Sequence, residues 1–262
     1  MSINKQKIID SYSAANEKDR AETAGIYGME FLYTKKYMSE FINTNTDVAE
    51  IGCGGGYYGF YFSDKCKSYL GVDITPINVE EFKKAIKKNN LTNVRAEIGD
   101  AIKLNHIDDC KFDVVMCLGP MYHLNRDDRC KCISECKRIC KNGGIVSFAY
   151  INKTGVILKF GNILGWENVL TDKIGENVID KGIDDVRPDL FFYTMPEEIS
   201  SDAANAGLNI VKNVGLDVLM DDKAIEQLSD SQRQVWFKLA KLLNESPSCV
   251  GISNHALLIC RK

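Results

Sequence analysis

A short apolar strand that continues directly into a glycine-rich turn constrains this chain more than any other feature. The run Val48–Ile51 favours a buried strand, four of the next five residues (Gly52–Gly56) are glycine, and a helix is predicted to begin near Tyr57. Glycine lets the main chain approach a ligand closely because it has no side chain. A strand, a tight turn and a helix in this order are typical of a nucleotide-binding site.

Short β-rich runs and helical segments alternate around this turn, which favours a parallel sheet with helices on both faces. The predicted strands of the first half are Asp47–Ile51, Ser68–Asp73, Asn93–Ile98, Phe112–Leu118 and Ile145–Tyr150. The clearest helices there are Glu80–Asn90 and Arg126–Cys140, and the second is expected to stop at Asn142, Gly143 and Gly144. The chain is therefore predicted to have an α/β fold.

The rest of the chain divides around this alternating core. Apolar residues at helical spacing predict a helical cap at residues 1–46, and the core is expected to span residues 47–262. The stretch Asn152–Thr194 breaks the rhythm and is interpreted as an insertion on the substrate side. Regular elements then return as a helix, a strand, a helix and a strand, at Pro196–Ala206, Leu208–Leu216, about Lys223–Asn244 and His255–Cys260.

Composition narrows the class of partner and the compartment. With 33 basic and 36 acidic residues, the chain has a formal charge of −3 and no basic run with interleaved aromatic residues, so we expect no nucleic acid as substrate. No stretch approaches the ~18 apolar residues of a membrane span, and Met1–Asp10 lacks the pattern of a signal peptide. Ten cysteines in a chain of this size are interpreted as reduced thiols. A cytoplasmic protein without a membrane partner is expected.

The spacing of the glycines indicates which class of nucleotide-binding site the turn resembles. A dinucleotide-binding fingerprint needs glycine or alanine where Tyr57 stands, and a Walker loop needs a Gly-Lys-Ser or Gly-Lys-Thr sequence that does not follow here. The pattern present is Glu50, Gly52, Gly54 and Gly56, at every second position. This pattern resembles the first motif of class I S-adenosylmethionine-dependent methyltransferases.

A second segment, Leu118–Leu124, resembles one found in bacterial small-molecule methyltransferases of this class. The resemblance extends to residues 255–262 and to these residues near the N-terminus: Glu17, Asp19, Arg20, Gly28, Glu30 and Phe31. It implies a Rossmann-like, seven-stranded, mostly parallel sheet with helices on both faces, whose last strand, His255–Cys260, is antiparallel. It also implies methyl transfer from S-adenosylmethionine to oxygen, nitrogen or carbon of a small molecule, with S-adenosylhomocysteine as the product.

Two acidic residues at the ends of later strands complete the predicted cofactor site. Asp73 closes the second strand, where a carboxylate can accept hydrogen bonds from ribose hydroxyls, or it can instead cap the helix that begins at Thr75. Asp100 follows the third strand, where the resemblance implies a bond to the adenine amino group; the alternative is an ordinary turn aspartate. The predicted cofactor-binding residues are Glu50, Gly52, Cys53, Gly54, Gly56, Asp73, Ile74, Asp100, Ala101, Leu118 and Tyr122.

His123 is the candidate catalytic residue. Methyl transfer requires that the acceptor is positioned, that water is excluded and sometimes that a proton is removed, but it requires no nucleophilic side chain. A histidine near the carboxyl ends of the strands is suited to removing a proton, and it can equally hold the turn through hydrogen bonds to the backbone. His123 is therefore predicted to be a general base or a positioning residue.

Four cysteines lie close together in the helix predicted at Arg126–Cys140, namely Cys130, Cys132, Cys136 and Cys140. The last three are four residues apart and share a helical face. Thiolates bind soft metal ions, but cysteines on one face rarely converge on an ion without partners from elsewhere. The row is therefore predicted to be core packing, and no bound metal is expected.

Two other functions stay open at this point. One is a non-catalytic protein that binds S-adenosylmethionine or S-adenosylhomocysteine on the same fold. The other is a nicotinamide-dependent oxidoreductase, against which Tyr57 argues. The sequence predicts neither the identity of the acceptor nor the oligomeric state.

Overall fold

Helices and strands alternate along most of the chain. The computed structural model describes residues 5–14, 28–187, 189–217 and 225–262. The helices are α1 (Lys5–Ala14), α2 (Met29–Met38), α3 (Tyr57–Phe62), α4 (Pro76–Lys88), α5 (Arg126–Ile139), α6 (Lys153–Leu164), α7 (Trp166–Val169), α8 (Asn177–Lys181), α9 (Pro196–Asn205) and α10 (Asp230–Glu245). The strands are β1 (Asp47–Ile51), β2 (Ser68–Asp73), β3 (Val94–Ile98), β4 (Phe112–Cys117), β5 (Cys140–Ile151), β6 (Asn209–Gly215) and β7 (His255–Arg261). Shorter helical turns are Pro120–His123, Asp172–Glu176 and Val250–Ile252.

The seven strands form one sheet in the order β3-β2-β1-β4-β5-β7-β6. Strands β1 to β5 are parallel to one another. Strand β7 is antiparallel to both of its neighbours, β5 and β6. The predicted seven-stranded, mostly parallel, Rossmann-like sheet with an antiparallel last strand is confirmed. The direction in which strands are added reverses between β1 and β4, and ligands of such sheets bind in the crevice at the carboxyl ends of the strands at this point.

Helices cover both faces of the sheet, as predicted. On one face, Ile133 of α5 and Ile199 of α9 belong to a buried apolar cluster with side chains of the strands. On the other face, Tyr37 of α2, Phe82 of α4 and Trp236 of α10 belong to a second such cluster. The sheet therefore separates two apolar cores, and its inner strands β1, β4, β5 and β7 are mostly buried, whereas the edge strands β3 and β6 are partly exposed.

The boundary between α5 and β5 differs from the prediction. The helix predicted to reach Cys140 ends at Ile139, and Cys140 pairs with Phe112 as the first residue of β5. Gly143 and Gly144, expected to stop the helix, instead lie in β5 where its register shifts against β4. Gly143 has a φ of 78°, and a Cβ at Gly144 would lie 2.7 Å from the carbonyl oxygen of Asp113. The glycines therefore serve an irregular strand entry and not a helix cap.

Two further helices begin at positions other than predicted. The helix expected from Glu80 begins at Pro76, whose fixed φ suits a first helical turn. The helix expected from about Lys223 is interrupted, because α10 begins only at Asp230, after Ser229, whose side chain accepts a hydrogen bond from the N–H of Gln232. The start of that predicted helix, Lys223, lies outside the described residues, as do Glu17, Asp19 and Arg20.

The predicted insertion contains α6, α7 and α8. Its side chains Val156, Val178 and Tyr193 form a small apolar cluster with Tyr122, and the N–H of Phe192 donates to the carbonyl oxygen of Tyr122 over 2.8 Å. The insertion therefore packs on the turn that follows β4. The division into cap, core and insertion stays a prediction. Among the helices described, none has both the length and the apolar character to cross a bilayer.

The far end of the glycine-rich turn is tightly packed. Gly56, the residue before α3, has a φ of 89°, and a Cβ there would lie 2.2 Å from the ring of Phe82 in α4. Gly55 has neither constraint, because a Cβ there would meet no atom within 4 Å. Glycine is thus required at position 56 by both backbone conformation and packing.

One carboxyl group is buried in the sheet beside this turn. Glu50 of β1 is 1% exposed, and the hydroxyl of Tyr69 in β2 donates to its Oε2 over 2.5 Å. Burial raises the pKa of Glu50 to about 8, against the effect of this hydrogen bond. Glu50 is therefore mostly protonated at neutral pH in the folded protein.

The substitution Gly56→Ala is expected to lower the free energy of unfolding by about 2–4 kcal/mol, because alanine is strained at this φ and collides with Phe82. The matched substitution Gly55→Ala should change it by less than about 0.5 kcal/mol. Urea unfolding followed by circular dichroism measures both values. Equal effects of the two substitutions would contradict the packing described here.

Removing the carboxyl group with Glu50→Gln should change how stability depends on pH. The pKa of Glu50 is raised on folding from 4.5 to about 8. Its contribution to the free energy of unfolding is therefore complete below pH 4.5 and is lost as the pH rises toward 8. Relative to the variant, the unfolding free energy of the wild type should fall by up to about 1.4 kcal/mol per pH unit in this window. If the unfolding free energies of the two proteins, measured in urea, changed with pH in the same way, Glu50 would take up no proton on folding. That result would contradict its raised pKa.

Candidate functional site

One large cavity opens at the carboxyl edge of the sheet. It has a volume of about 770 Å³ and is lined by residues at or after the ends of β1, β2, β3 and β4, together with α1, α3, the first turn of α2 and one side of α4 along its length. Ligand pockets commonly have volumes of about 300–1,000 Å³. The cavity is the crevice that the reversal of strand order between β1 and β4 creates.

Three hydrogen bonds fix the glycine-rich turn to the end of β2. The N–H groups of Gly52 and Cys53 both donate to the carbonyl oxygen of Val72, over 2.7 and 3.1 Å. The N–H of Gly54 donates to Oδ2 of Asp73 over 2.8 Å. The turn is therefore held in place by the neighbouring strand.

The same turn needs glycine where other groups come close. A Cβ at Gly52 would lie 2.4 Å from Cδ of Pro120, so the turns after β1 and β4 can meet only without a side chain there. At Gly54 and Gly55, by contrast, a Cβ would meet no atom of the described chain within 4 Å. These two residues leave open space beside the main chain, on the cavity side.

Asp73 accepts backbone hydrogen bonds on both carboxylate oxygens. Oδ1 accepts from the N–H of Thr75 and Oδ2 from the N–H of Gly54, each over 2.8 Å. The side chain is 8% exposed, and burial raises the pKa of Asp73 although these two bonds lower it. Oδ1 also accepts from Nδ2 of Asn78 over 3.5 Å. Asp73 thus fixes the turn that leads into α4, whose cap residue is Thr75, and it also lines the cavity. Oδ2 keeps a further acceptor position.

Asp100 is held both locally and by α1. Its Oδ1 accepts from the N–H of Ile102 over 3.1 Å, which is the hydrogen bond of an ordinary Asx turn. Its Oδ2 forms an ion pair with Lys5, and the carboxylate side chain is 26% exposed. Asp100 and the next residue, Ala101, line the cavity, whereas Ile102 does not.

Aromatic side chains from separate elements form another part of the cavity wall. They are Tyr12 of α1, Phe31 of α2, Tyr57, Tyr58 and Phe60 of α3, and Tyr122 in the turn after β4. The ring centroid of Phe31 lies 4.4 Å from that of Tyr57 and 5.7 Å from that of Tyr58. The cavity therefore combines polar strand ends with an apolar, aromatic wall.

His123 joins three segments through its ring. Its Nδ1 lies 2.7 Å from the carbonyl oxygen of Leu190, and its Nε2 lies 2.7 Å from the hydroxyl of Tyr12. A carbonyl oxygen only accepts hydrogen bonds, so Nδ1 carries a proton, and in the neutral ring Nε2 accepts from Tyr12. The ring is 6% exposed. His123 therefore ties α1 to the end of the insertion beside the cavity.

The cavity brings together most residues that the sequence predicts for the site. Those that line it are Glu50, Gly52, Cys53, Gly54, Asp73, Ile74, Asp100, Ala101, Leu118, Tyr122 and His123. Gly56 does not line it, because it packs against Phe82 behind the turn. The contacts of these residues with a cofactor stay predictions.

Several lining residues were not singled out from the sequence. Thr75 and Asn78 stand next to Asp73 at the start of α4, and their position directly after the strand end was the signal available. Lys5 had no such signal, because its ion pair with Asp100 joins residues 95 positions apart. Such a contact depends on how α1 packs.

Comparison with known proteins places this geometry in a family. Residues 48–144 match the family described as a methyltransferase domain. The chain is 27% identical over 169 residues to a ubiquinone biosynthesis O-methyltransferase of Acinetobacter baumannii. That similarity covers 64% of this chain and 66% of the relative, which is just under two thirds of the relative's length.

Solved structures with the same fold cover nearly all of the chain. A Thermotoga maritima S-adenosylmethionine-dependent methyltransferase, described as a possible histamine N-methyltransferase, has a TM-score of 0.60 at 18% identity and covers 96% of this chain and 97% of its own. An S-adenosylmethionine-dependent methyltransferase from Mesorhizobium loti has a TM-score of 0.57 at 13% identity, with coverage of 89% and 98%. Residues 48–144 of the chain therefore match a methyltransferase domain, and the chain as a whole shares its fold with S-adenosylmethionine-dependent methyltransferases.

Proposed function

We propose that this protein transfers the methyl group of S-adenosylmethionine to a nucleophilic oxygen, nitrogen or carbon of a small molecule. The observation that carries the proposal is one continuous cavity that joins the glycine-rich turn and Asp73 to an aromatic wall. The first part suits a nucleoside and the second an apolar acceptor. The printed name of the Acinetobacter relative, an O-methyltransferase, supports this class of reaction.

The residues around the turn fit the cofactor. The open space at Gly54 and Gly55 lets a ligand reach the main chain, since no atom of the described chain lies within 4 Å of a Cβ built there. Asp73 keeps an acceptor position on Oδ2 after bonding to Gly54, and the bond from Asn78 to Oδ1 is long at 3.5 Å, so that a ribose hydroxyl can replace it. The carboxylate can then accept hydrogen bonds from two ribose hydroxyls. We assign the ribose to Asp73 and the adenine to the segment Gly99–Ala101.

The aromatic wall would position the acceptor and exclude water. Bound S-adenosylmethionine would supply an electrophilic methyl group. The acceptor atom would attack this carbon in line as the sulfur–carbon bond breaks, S-adenosylhomocysteine would be the leaving group, and the proton of the acceptor would pass to solvent. Such a reaction is accelerated by holding the two reactants in contact and by removing water. Tyr12, Phe31 and Tyr122 are assigned to this task, because they line the cavity from different elements.

His123 acts as a positioning residue in this proposal. Both ring nitrogens are engaged, with Leu190 and with Tyr12, so removal of a proton from an acceptor would first require the bond from Tyr12 to break. The ring instead holds α1 against the turn after β4, next to Tyr122. This arrangement closes one side of the aromatic wall.

A reducing, cytoplasmic location and a small-molecule rather than a nucleic-acid substrate are part of the proposal. All ten cysteines are free thiols, which is typical of proteins in reducing compartments. The formal charge of −3 gives no overall attraction for a polyanion. The enclosed aromatic wall is suited to a small, apolar molecule.

Calorimetric titration with S-adenosylmethionine and S-adenosylhomocysteine tests the cofactor site. The wild type should bind both, and Asp73→Asn should weaken binding by about 10- to 100-fold, because a hydrogen bond to a charged acceptor contributes about 1.5–3 kcal/mol. The matched control is Asp113→Asn, since Asp113 also accepts a backbone N–H, from Asp47 over 2.9 Å, but at the opposite end of the sheet.

A second variant protects this test against a loss of folding in Asp73→Asn. Gly55→Val adds bulk where no atom of the described chain lies within 4 Å, so it should fold normally and yet abolish binding. If Asp73→Asn and Gly55→Val both bound the cofactor as well as the wild type, or if Asp113→Asn weakened binding as much as Asp73→Asn, the cofactor would not bind at this turn.

The role of His123 is checked by nitrogen NMR of its ring. Long-range proton–nitrogen spectra should show the neutral tautomer with the proton on Nδ1, because that nitrogen faces the carbonyl oxygen of Leu190. In Tyr12→Phe the Nε2 resonance should shift while the Nδ1 proton remains. A tautomer with the proton on Nε2 would contradict the assigned hydrogen bonds.

Turnover separates the proposed enzyme from a non-catalytic binder. The wild type should release S-adenosylhomocysteine from S-adenosylmethionine when supplied with a panel of small phenols, amines and carbon acids, and Gly55→Val should not. Cofactor binding without product from any acceptor would support the non-catalytic alternative and contradict the proposed reaction.

A further inference from the structure

Three cysteine side chains converge in the core between the sheet and α5. Cys117 is the last residue of β4, and Cys132 and Cys136 lie one turn apart on α5. The sulfur atoms of Cys117 and Cys132 are 3.6 Å apart, and all three sulfurs lie within 4.8 Å of one another. Each side chain is 0% exposed. We call this group the three-thiol cluster.

The sheet supplies the third sulfur that the cysteines of α5 need in order to surround an ion. The row on α5 alone cannot surround an ion, which is the reason the sequence predicts no metal. Cys117 supplies a third sulfur from the facing strand, while Cys130 is exposed and Cys140 belongs to β5. This group therefore has the additional ligand from another element that a metal site on α5 requires.

The spacing of the cluster matches the size of a sulfur-bound metal ion. For three atoms at equal separations, the central point lies at that separation divided by the square root of three. Equal separations of 3.6 Å, the Cys117–Cys132 distance, or of 4.8 Å, the upper limit for the group, would place it about 2.1 or 2.8 Å from each sulfur, on either side of the metal–sulfur distance of about 2.3 Å known for zinc thiolates. An ion can therefore lie among the three sulfurs with little movement of the chain.

The ligand set selects the kind of ion. Among the described residues, no further cysteine, histidine, aspartate or glutamate joins the group, and the remaining residues contain no cysteine or histidine. Structural zinc sites are almost always four-coordinate, whereas thiolates without a fourth ligand suit a soft ion such as Cu(I). We propose that the three-thiol cluster binds one Cu(I) ion through the sulfurs of Cys117, Cys132 and Cys136.

Hydrogen bonding within the cluster is consistent with a ligand role. The sulfur atoms of Cys117 and Cys132 lie within hydrogen-bond distance of each other, so they already face one another in the absence of an ion. A thiol that ligates the ion gives up its proton to solvent, so binding strengthens as the pH rises. The ion keeps its oxidation state, and no electron is transferred. Cysteines buried only as small apolar side chains would show no such binding.

The test is an anaerobic titration of the reduced, full-length protein with Cu(I) in the presence of a coloured Cu(I) chelator. The wild type should withhold one Cu(I) per chain from the chelator, and Cys117→Ala or Cys132→Ala should lose this ion. Cys260→Ala is the matched control, because Cys260 is also 0% exposed and belongs to the same apolar cluster. It should withhold the ion as the wild type does.

X-ray absorption of the wild-type complex keeps the proposal falsifiable if the core variants do not fold. It should show three sulfur neighbours at about 2.3 Å and no nitrogen or oxygen. Release of all copper to the chelator, equal retention by Cys132→Ala and Cys260→Ala, or fewer than three sulfur neighbours would each overturn the proposal. The test uses no methyl donor, so its outcome is independent of the proposed methyl transfer.

Discussion

The carboxylate of Asp73 links the two turns on which the cavity depends. One oxygen accepts the N–H of Gly54 in the turn after β1, and the other accepts the N–H of Thr75 at the start of α4. Without this carboxylate, the buried N–H of Thr75 and the partly buried N–H of Gly54 would lose their acceptor, and the cost for the buried group is about 1–3 kcal/mol. The position of the main chain beside the cavity would then no longer be fixed. The same carboxylate faces the cavity, so structural and binding roles coincide in one residue.

The rest of the site is arranged around that link. Gly52 allows the turn after β4 to approach through Pro120, which brings the next turn, Pro120–His123, to the cavity edge. His123 then joins α1 to the insertion through its two ring nitrogens. Strand order places the polar end of the cavity, whereas α1 and α2, which precede the alternating core, supply Tyr12 and Phe31 of the aromatic wall. A fold of this kind can keep one binding site and vary the wall beside it.

The features that sequence predicts well are those with a local signal. Strands β2 and β4 are short, mostly apolar runs, apolar residues alternate with charged ones in β3, and the glycine-rich turn after β1 follows directly from its spacing. Features that depend on tertiary contacts were missed or misplaced: the entry into β5 at Cys140 reflects pairing with Phe112, and the ion pair of Lys5 with Asp100 reflects the packing of α1. The three-thiol cluster belongs to the second kind, since Cys117 reaches α5 only through the sheet.

The central claim is that the turn after β1 and Asp73 hold S-adenosylmethionine at the carboxyl edge of the sheet. A crystal structure of the protein with S-adenosylhomocysteine tests it most directly. The account predicts the nucleoside beside Gly54 and Gly55, with both ribose hydroxyls within hydrogen-bond distance of the Asp73 carboxylate. A ligand bound elsewhere, or a ribose that makes no contact with Asp73, would contradict it.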